Sequence, residues 1–449
     1  MRSTLLLLIF LISNVLKAQD NVSFHVKNAP ASSKLILEYF FEDGWKNMWS
    51  KELNAEGKLN SVVNFDHPGQ YRIRISSDPE KWGDFLIGPD LVGKPNLHIV
   101  TEYASLKKSP INIDGNIESE PYSRLMPAYN KLTLNPDNLI RTELKYLQRE
   151  RDFLMLCDSI SKAFPKTYTA SFLCKLLGAP VAPAWQQTPL STDSILAFNA
   201  KHQCDVVPFR DKNILYHIGT IRKLNLHYEY FNTNHHAEEY IDQIMTKGLA
   251  DETVSAWLFR FMLDKLIDHK DEEALTYFLT WYSSDCTEND HTTAETRKLL
   301  TALDHCKPGN TIEFLNLPDV NGKQIGLKDV CAKNKITIIM FWKTNCSHCR
   351  EFKPELKKIY EKYHALGVEV YAIGTDKTMD IWKPVAIGDE VPWMNVYLDA
   401  SARQNFNSRF PVPSTPTLMA VDRNGVILRR LIQRSNLEAI LDELLKEVK

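Results

Sequence analysis

The sequence has almost no net charge and no long apolar run. Its 54 Lys and Arg residues nearly balance 56 Asp and Glu residues, which gives a formal net charge of -2. This balance excludes the basic surface that nucleic acid binding requires and a polybasic membrane patch. No stretch of about 18 consecutive apolar residues occurs, and a helix that spans a bilayer needs roughly that many. We therefore expect no nucleic acid partner and no transmembrane segment.

The N-terminal part of the chain also lacks cysteine, because the first cysteine of the sequence is Cys157. A lipid anchor on a cysteine just behind an N-terminal leader is therefore excluded. A leader itself is expected over residues 1–18, because Arg2 precedes an apolar run and Ala18 is a small residue at a plausible cleavage point before Gln19. The C-terminal residues 446–449 carry no endoplasmic-reticulum retention signal.

Two of the eight cysteines, Cys346 and Cys349, form a Cys-x-x-Cys motif between an apolar run and a helix-like segment. A strand that leads into a helix places Cys346 at the helix N-terminus, where free backbone N–H groups and the helix dipole stabilise a thiolate. Cys349 lies one turn later on the same face and can attack a mixed disulfide formed at Cys346. The motif predicts Cys346 as the nucleophile and Cys349 as the resolving cysteine.

A single Cys-x-x-Cys motif could also be half of a zinc site, with His348 or His364 as further ligands. No second Cys-x-x-Cys motif and no spaced histidine pair follows it, so zinc is not expected. His227, His235 and His236 lack carboxylates at ligand spacing, and adjacent histidines on a helix point in different directions. We expect no metal and no cofactor.

The residues around the cysteine pair resemble those of the thioredoxin family. Trp342 lies four residues before the first cysteine, and Pro354 lies five residues after the second. Thr415 and Pro416 resemble the loop in which this family holds a cis-proline opposite the cysteines and presents backbone to an extended substrate.

This resemblance covers about residues 307–449 and is closest to the TlpA/ResA-like extracytoplasmic thiol-disulfide oxidoreductases, in the multidomain form found in Bacteroidetes. It implies that Pro416 is cis and that Trp342, Thr415 and Pro416 contact the substrate. It also implies that the partners are protein thiols and disulfides, with an electron donor or acceptor that the sequence does not identify.

The residues between the cysteines, Ser347 and His348, are expected to tune the redox potential. A positive charge on His348 would favour the reduced thiolate form, so the disulfide should be more oxidising than with a Gly-Pro pair. In many relatives a buried acid assists the second cysteine, but Met340 and Phe352 occupy those positions here. Glu351 is displaced by one residue, or about 100° around the helix, which disfavours it as a substitute.

The chain is expected to be multidomain. After the leader, short alternating runs separated by turn residues predict an antiparallel β-sandwich over residues 19–120. Helical periodicity, as in Val254, Trp257 and Phe261, predicts an α-helical domain over 121–305. Alternating strands and helices predict the α/β thioredoxin fold over 306–449.

Smaller features leave alternatives open. Trp45, Trp49 and Trp82 could form a platform for a sugar or peptide, but packing in the core or at a half-buried rim is favoured. The proline-rich stretch 179–189 is predicted to be a loop. The six other cysteines allow up to three disulfides or buried free thiols.

Together these patterns predict a secreted thiol-disulfide oxidoreductase. A glycosylation sequon spans Asn345 to Ser347 across the motif, and a glycan there would cover the nucleophile, so the periplasm of a Gram-negative bacterium is the expected location. The alternative is an envelope scaffold or binding protein for a partner protein or glycan, in which the redox domain is incidental.

Overall fold

The computed structural model describes residues 21–93, 95–107, 109–133, 144–178, 198, 201–233, 236–287, 293–404 and 406–448. The predicted leader, the proline-rich stretch and His235 lie outside these ranges. The chain forms two compact units, of which the first extends to Ser255 and the second begins at Ala256. We describe each unit separately.

The N-terminal part of the first unit consists of two sheets that share one apolar core, as the predicted sandwich requires. The smaller sheet has the order β4-β1-β7 and the larger has the order β3-β2-β5-β6-β8. The strands are β1 Val22–Lys27, β2 Lys34–Phe41, β3 Gly44–Glu52, β4 Lys58–Ser61, β5 Gly69–Ile75, β6 Asp78–Ile87, β7 Leu97–Glu102 and β8 Ser109–Pro110.

The predicted all-β sandwich is present, but two of its strand pairings are parallel rather than antiparallel. Strand β1 pairs with β7 in parallel, with Val22 opposite Leu97, and β8 runs parallel to β6. Parallel strands are joined by long connections rather than by hairpins. The turn residues that indicate hairpins in the sequence therefore do not predict this pairing. Strand β3 was also not predicted, because its side chains are exposed or half-buried and follow no apolar alternation.

The three tryptophans lie at a half-buried rim, which confirms the favoured interpretation. Trp49 meets Phe24 edge to face at 5.5 Å. Trp45 and Trp82 lie on the Arg72 guanidinium, at 4.3 and 5.5 Å from their ring centres. Their apolar faces are therefore already used for packing.

The helical part of the first unit contains α1 Ser119–Thr133, α2 Leu144–Ala163, a π-helical turn Thr169–Leu173, α3 Cys174–Leu177, α4 Ile218–Thr233 and α5 Ala237–Gly248. It is held to the sandwich by buried polar contacts. The Tyr122 hydroxyl donates to Asp84 at 2.6 Å, and Glu118 accepts backbone hydrogen bonds from Tyr168 and Thr169. Strand β8 ends at Pro110, and α1 begins at Ser119.

Helix α6, Glu252–His269, continues into the second unit, where α7 Glu272–Thr287 and α8 Ala294–His305 follow. The apolar stripe of α6, which includes Val254, Trp257 and Phe261, is buried as its periodicity predicts.

The thioredoxin fold follows these helices. Its strands are β9 Asn316–Pro318, β10 Gln324–Gly326, β11 Ile336–Trp342, β12 Val368–Gly374, β13 Met394–Tyr397, β14 Thr417–Asp422 and β15 Ile427–Arg429. Its helices are α9 Leu327–Lys333, α10 Ser347–Tyr363, α11 Met379–Gly388, α12 Ala400–Arg403, α13 Phe406–Arg409 and α14 Leu437–Glu447.

The five-stranded sheet of this fold has the order β13-β12-β11-β14-β15. Strand β11 is its central strand and all of its residues are buried, because alternate side chains enter apolar cores on opposite faces of the sheet. The register pairs Trp342 with Gly374 on one side and Phe341 with Thr417 on the other. The start of α10 and the loop before β14 therefore meet at the same edge of the sheet.

Candidate active site

The cysteine pair lies where β11 ends and α10 begins. Cys346 is the N-cap of α10, and its sulfur accepts a hydrogen bond from the backbone N–H of Cys349 at 3.0 Å. The two cysteines form a disulfide, with their Cα atoms 5.3 Å apart. Cys346 is half-buried, whereas Cys349 is 0% exposed. Only the first sulfur can therefore be approached from solvent.

The loop before β14 faces this disulfide. The Thr415–Pro416 peptide bond is cis, which confirms the prediction for Pro416. The carbonyl oxygen of Thr415 lies 3.1 Å from the sulfur of Cys346. Thr415 is half-buried and Ser414 is exposed, so backbone next to the reactive sulfur is open to an extended chain.

Trp342 lies beneath the site rather than on its surface. It is 1% exposed, and its indole N–H donates to the Asn395 side chain at 3.2 Å. The ammonium group of Lys353 lies over its ring, 3.5 Å from the centre. A direct contact between Trp342 and substrate would require these neighbours to move.

Ser347 and His348 are exposed in the first turn of α10. The backbone carbonyl of His348 lies 3.5 Å from a guanidinium nitrogen of Arg434. The imidazole is thus on the solvent side of the disulfide.

Sequence reasoning missed Asp376, which holds the segment that leads to the nucleophile. Its carboxylate is 6% exposed and accepts hydrogen bonds from the Thr344 backbone N–H, at 3.2 Å to each oxygen, and from the Thr344 hydroxyl at 2.7 Å. Asp376 comes just after β12, the parallel neighbour of β11. Because the carboxyl ends of parallel strands meet at one edge of a sheet, a polar residue directly after the next predicted strand was the available signal.

The expected absence of a buried acid at the two usual positions agrees with the packing. Met340 and Phe352 are buried apolar side chains, and Glu351 is exposed and pairs with Arg434 at 3.5 Å. The buried cation Lys353 pairs with Asp389, and burial lowers the pKa of its ammonium group. The Glu351 carboxylate is therefore engaged at the surface with Arg434, as its displaced position suggests.

The other cysteines differ from the reactive pair. Cys157, Cys174, Cys204, Cys306 and Cys331 are buried free thiols, while the side chain of Cys286 lies outside the described part of the structure. Burial raises the pKa of Cys204 and of Cys306 to about 12. The thiols of Cys204 and Cys306 are therefore held in the protonated, unreactive form near neutral pH.

The described histidines of the middle region do not form a metal site. His227 is buried and its Nε2 contacts the carbonyl oxygen of Lys201 at 2.9 Å. Within the described ranges no group of three potential metal ligands occurs. Among the same residues, no helix has both the length and the apolar character needed to cross a bilayer.

Comparison with known proteins places this site in context. A thioredoxin-like family model matches residues 334–427. The thiol-disulfide oxidoreductase ResA of Bacillus thuringiensis (strain Al Hakam) is 30% identical over 122 residues, which are 27% of this chain and 68% of that protein. ResA of Bacillus anthracis is also 30% identical over 122 residues, with the same two shares covered.

Two solved structures are also similar. The thioredoxin domain of a thiol-disulfide oxidoreductase from Bacteroides vulgatus is 25% identical, with a TM-score of 0.29, and the match covers 32% of this chain and 98% of that domain. A thioredoxin-like protein from Bacteroides caccae is 18% identical, with a TM-score of 0.44, over 60% of this chain and 98% of that protein.

Proposed function

Since the chain belongs to the family of thiol-disulfide oxidoreductases that includes ResA, we propose that it exchanges disulfides with proteins of the bacterial cell envelope. The observation that carries this proposal is the contrast between the two sulfurs. Cys346 is half-buried beside the Thr415 carbonyl, whereas Cys349 is fully buried behind it. One sulfur can meet a client, and the other can only complete the exchange.

The reaction starts from the reduced protein. The Cys346 thiolate attacks one sulfur of a client disulfide, and the other client sulfur leaves as a thiolate. Cys349 then loses its proton and attacks Cys346, which releases the second client thiol and leaves the protein disulfide. Two electrons pass to the client, and the reverse sequence of steps would oxidise a client dithiol.

The remaining predicted residues take supporting roles in this proposal. Thr415 and Pro416 present backbone to the client, while Ser347 and His348 adjust the relative stability of thiolate and disulfide. No cofactor enters any step, because the electrons move between sulfur atoms. A separate thiol or disulfide partner must reset the pair after each turnover.

The proposed location is the periplasm, following the leader pattern at residues 1–18 and the sequon across the active site.

Insulin reduction in dithiothreitol tests the proposed function. The wild-type chain should accelerate precipitation of the insulin chains, and Cys346→Ser should abolish that acceleration, since the attacking sulfur is removed. Cys331→Ser is the matched control, because it changes a buried free thiol of the same unit. Equal rates for wild type and Cys346→Ser would support the envelope scaffold instead.

A further inference from the structure

A polar groove of about 450 Å³ lies beside the disulfide. It is lined by Asp268 and Lys270, His348, and residues 414–416 and 433–435. Asp268 lies in the last turn of α6 and Lys270 in the connection to α7, so the groove is not made by the thioredoxin fold alone. All of these residues are within the second compact unit.

Lys270 contacts the cis-proline loop directly. Its ammonium group donates to the carbonyl oxygens of Pro416 and Ile432, at 3.3 Å each. The segment that contains Lys270 is also anchored two residues later, at Glu272. Both carboxylate oxygens of Glu272 accept hydrogen bonds at 2.9 Å from Arg430, which is 3% exposed. The Lys270 ammonium is therefore held at this place in the groove.

Within the described part of the chain, the charge of Lys270 has no carboxylate counterion. Among the residues that the structure describes, no carboxylate forms an ion pair with it, and an ammonium group has three donors, of which the two carbonyls use two. Burial lowers the pKa of Lys270, and the nearby positive charge of Arg434 lowers it further. A half-buried cation that faces a second cation is unfavourable until an anion joins them.

The other charged groups around the groove do not supply this anion. Asp268 is exposed on the rim. Glu351 pairs with Arg434 at 3.5 Å, and its side chain is 61% exposed, so this pair is weak and easily exchanged.

We propose that Lys270 and Arg434 bind a carboxylate side chain of the client close to its reacting cysteine, so that this protein prefers clients with Asp or Glu there. This inference rests on the proposed function. The Cys346 sulfur and the Lys270 ammonium contact the carbonyls of consecutive residues, Thr415 and Pro416. They are thus at most about 10 Å apart, a distance that two residues of extended chain together with the reach of a Glu side chain can span.

Three peptides test the preference, each with one cysteine activated as a neutral 2-pyridyl disulfide and with both termini blocked. One carries Glu two residues from the cysteine, one carries Gln there, and one carries Glu eight residues away. Attack by Cys346 on the peptide sulfur releases 2-thiopyridone, whose appearance gives the rate constant, and Cys349 then releases the peptide thiol. The full-length reduced protein is used throughout.

The wild-type protein should react about two- to fivefold faster with the near-Glu peptide than with the Gln peptide, as a partly exposed ion pair allows. The distant-Glu peptide should react like the Gln peptide. Lys270→Gln and Arg434→Gln should each bring the ratio of the near-Glu rate to the Gln rate towards one. Lys270→Arg should keep this ratio at its wild-type value. Lys328→Gln removes an exposed lysine outside the groove and serves as the matched control.

Added salt should also reduce the ratio of these two rates in the wild-type protein, because it screens the ion pair. This measurement keeps the proposal testable if a Lys270 variant folds poorly. Equal wild-type rates for all three peptides, or a ratio unchanged in Lys270→Gln, would overturn this inference while leaving the proposed function standing. If the wild type reacted with no peptide and failed to reduce insulin, the proposed function would fall and the inference with it.

Discussion

The carboxylate of Asp376 holds both the backbone N–H and the hydroxyl of Thr344, two residues before Cys346. This contact joins the end of β12 to the segment that leads from β11 into α10. The orientation of the nucleophile therefore depends on a carboxylate that does not touch it.

The first prediction concerns this contact. Asp376→Asn keeps one acceptor but loses the charge, and a hydrogen bond to a charged group contributes about 1.5–3 kcal/mol. We expect insulin reduction to slow by roughly tenfold as the segment loosens. Thr344→Val should also slow insulin reduction. A pH–rate profile that keeps its shape would identify Asp376 as a positioning residue, whereas a profile shifted along the pH axis would contradict that role.

The second prediction is that iodoacetamide modifies Cys346 first in the reduced protein at neutral pH. Cys346 is half-buried at a helix N-terminus, while Cys349 has no exposed surface. Peptide mapping after brief labelling identifies the modified cysteine. Labelling of Cys349 before Cys346 would reverse the assigned roles.

The third prediction is that Cys349→Ser accumulates mixed disulfides with client proteins. The first attack at Cys346 remains possible, but the sulfur that resolves the intermediate is gone. Non-reducing gels of envelope extracts should show adducts that disappear on reduction. The double variant Cys346→Ser with Cys349→Ser is the control, and adducts in that protein would point to another thiol.

The fourth prediction concerns His348. A neighbouring positive charge stabilises the thiolate, so His348→Gln should make the disulfide harder to reduce; each tenfold change in thiolate stability is ~1.4 kcal/mol, or ~30 mV for two electrons. We expect a negative shift of roughly tens of millivolts in equilibrium with glutathione. His348→Pro should shift the potential in the same direction, although it also removes a backbone N–H. Unchanged potentials in both variants would assign the tuning to the helix terminus alone.

The fifth prediction is acid sensitivity of the first unit. Burial lowers the pKa of His217 to about 3 and the pKa of His227 to about 4, whereas an unfolded histidine titrates near 6.5. As the pH falls below about 6.5, the unfolded chain binds protons that the folded chain cannot, so the free energy of unfolding decreases until the pH reaches the folded pKa of each histidine, about 4 for His227 and about 3 for His217. Between about pH 6.5 and about pH 4.5 the loss is on the order of 3 kcal/mol for each buried histidine.

Thermal unfolding measured from pH 7.5 to pH 4.5 checks this sign. His227→Gln should flatten the decline, because it removes one of the two groups. His305→Asn, at an exposed position, should leave the slope as it is. A first unit that becomes more stable on acidification would show the argument to be wrong.

Local patterns were enough to predict much of the active site. The apolar run before Cys346 specifies a central strand, because a fully buried parallel strand reads as a continuous apolar segment. The β-branched and aromatic residues of Val368–Gly374 likewise favour a strand, and they form β12. The cis-proline was also predictable, but from family resemblance rather than from composition. These features depend on residues close together in the chain.

Strand pairings and contacts between residues far apart in the sequence could not be predicted in this way. Nothing near β1 indicates that it pairs with β7, and nothing near Lys270 indicates that its ammonium group reaches Pro416, 146 residues later. The same applies to Asp376, which reaches Thr344 from the next strand. In each case the partner is set by tertiary packing, for which a single sequence contains no local signal.

The pairing of Phe341 with Thr417 has a consequence for how this enzyme tolerates change. One ladder of backbone hydrogen bonds fixes the distance between the reactive sulfur and the loop that faces it. A single-residue insertion or deletion within β14 would turn its side chains to the opposite face and move that loop by about 3.3 Å. Such an insertion or deletion would leave both cysteines in place yet disable catalysis. The number of residues in β14 is therefore constrained as tightly as the identity of the residue at position 346.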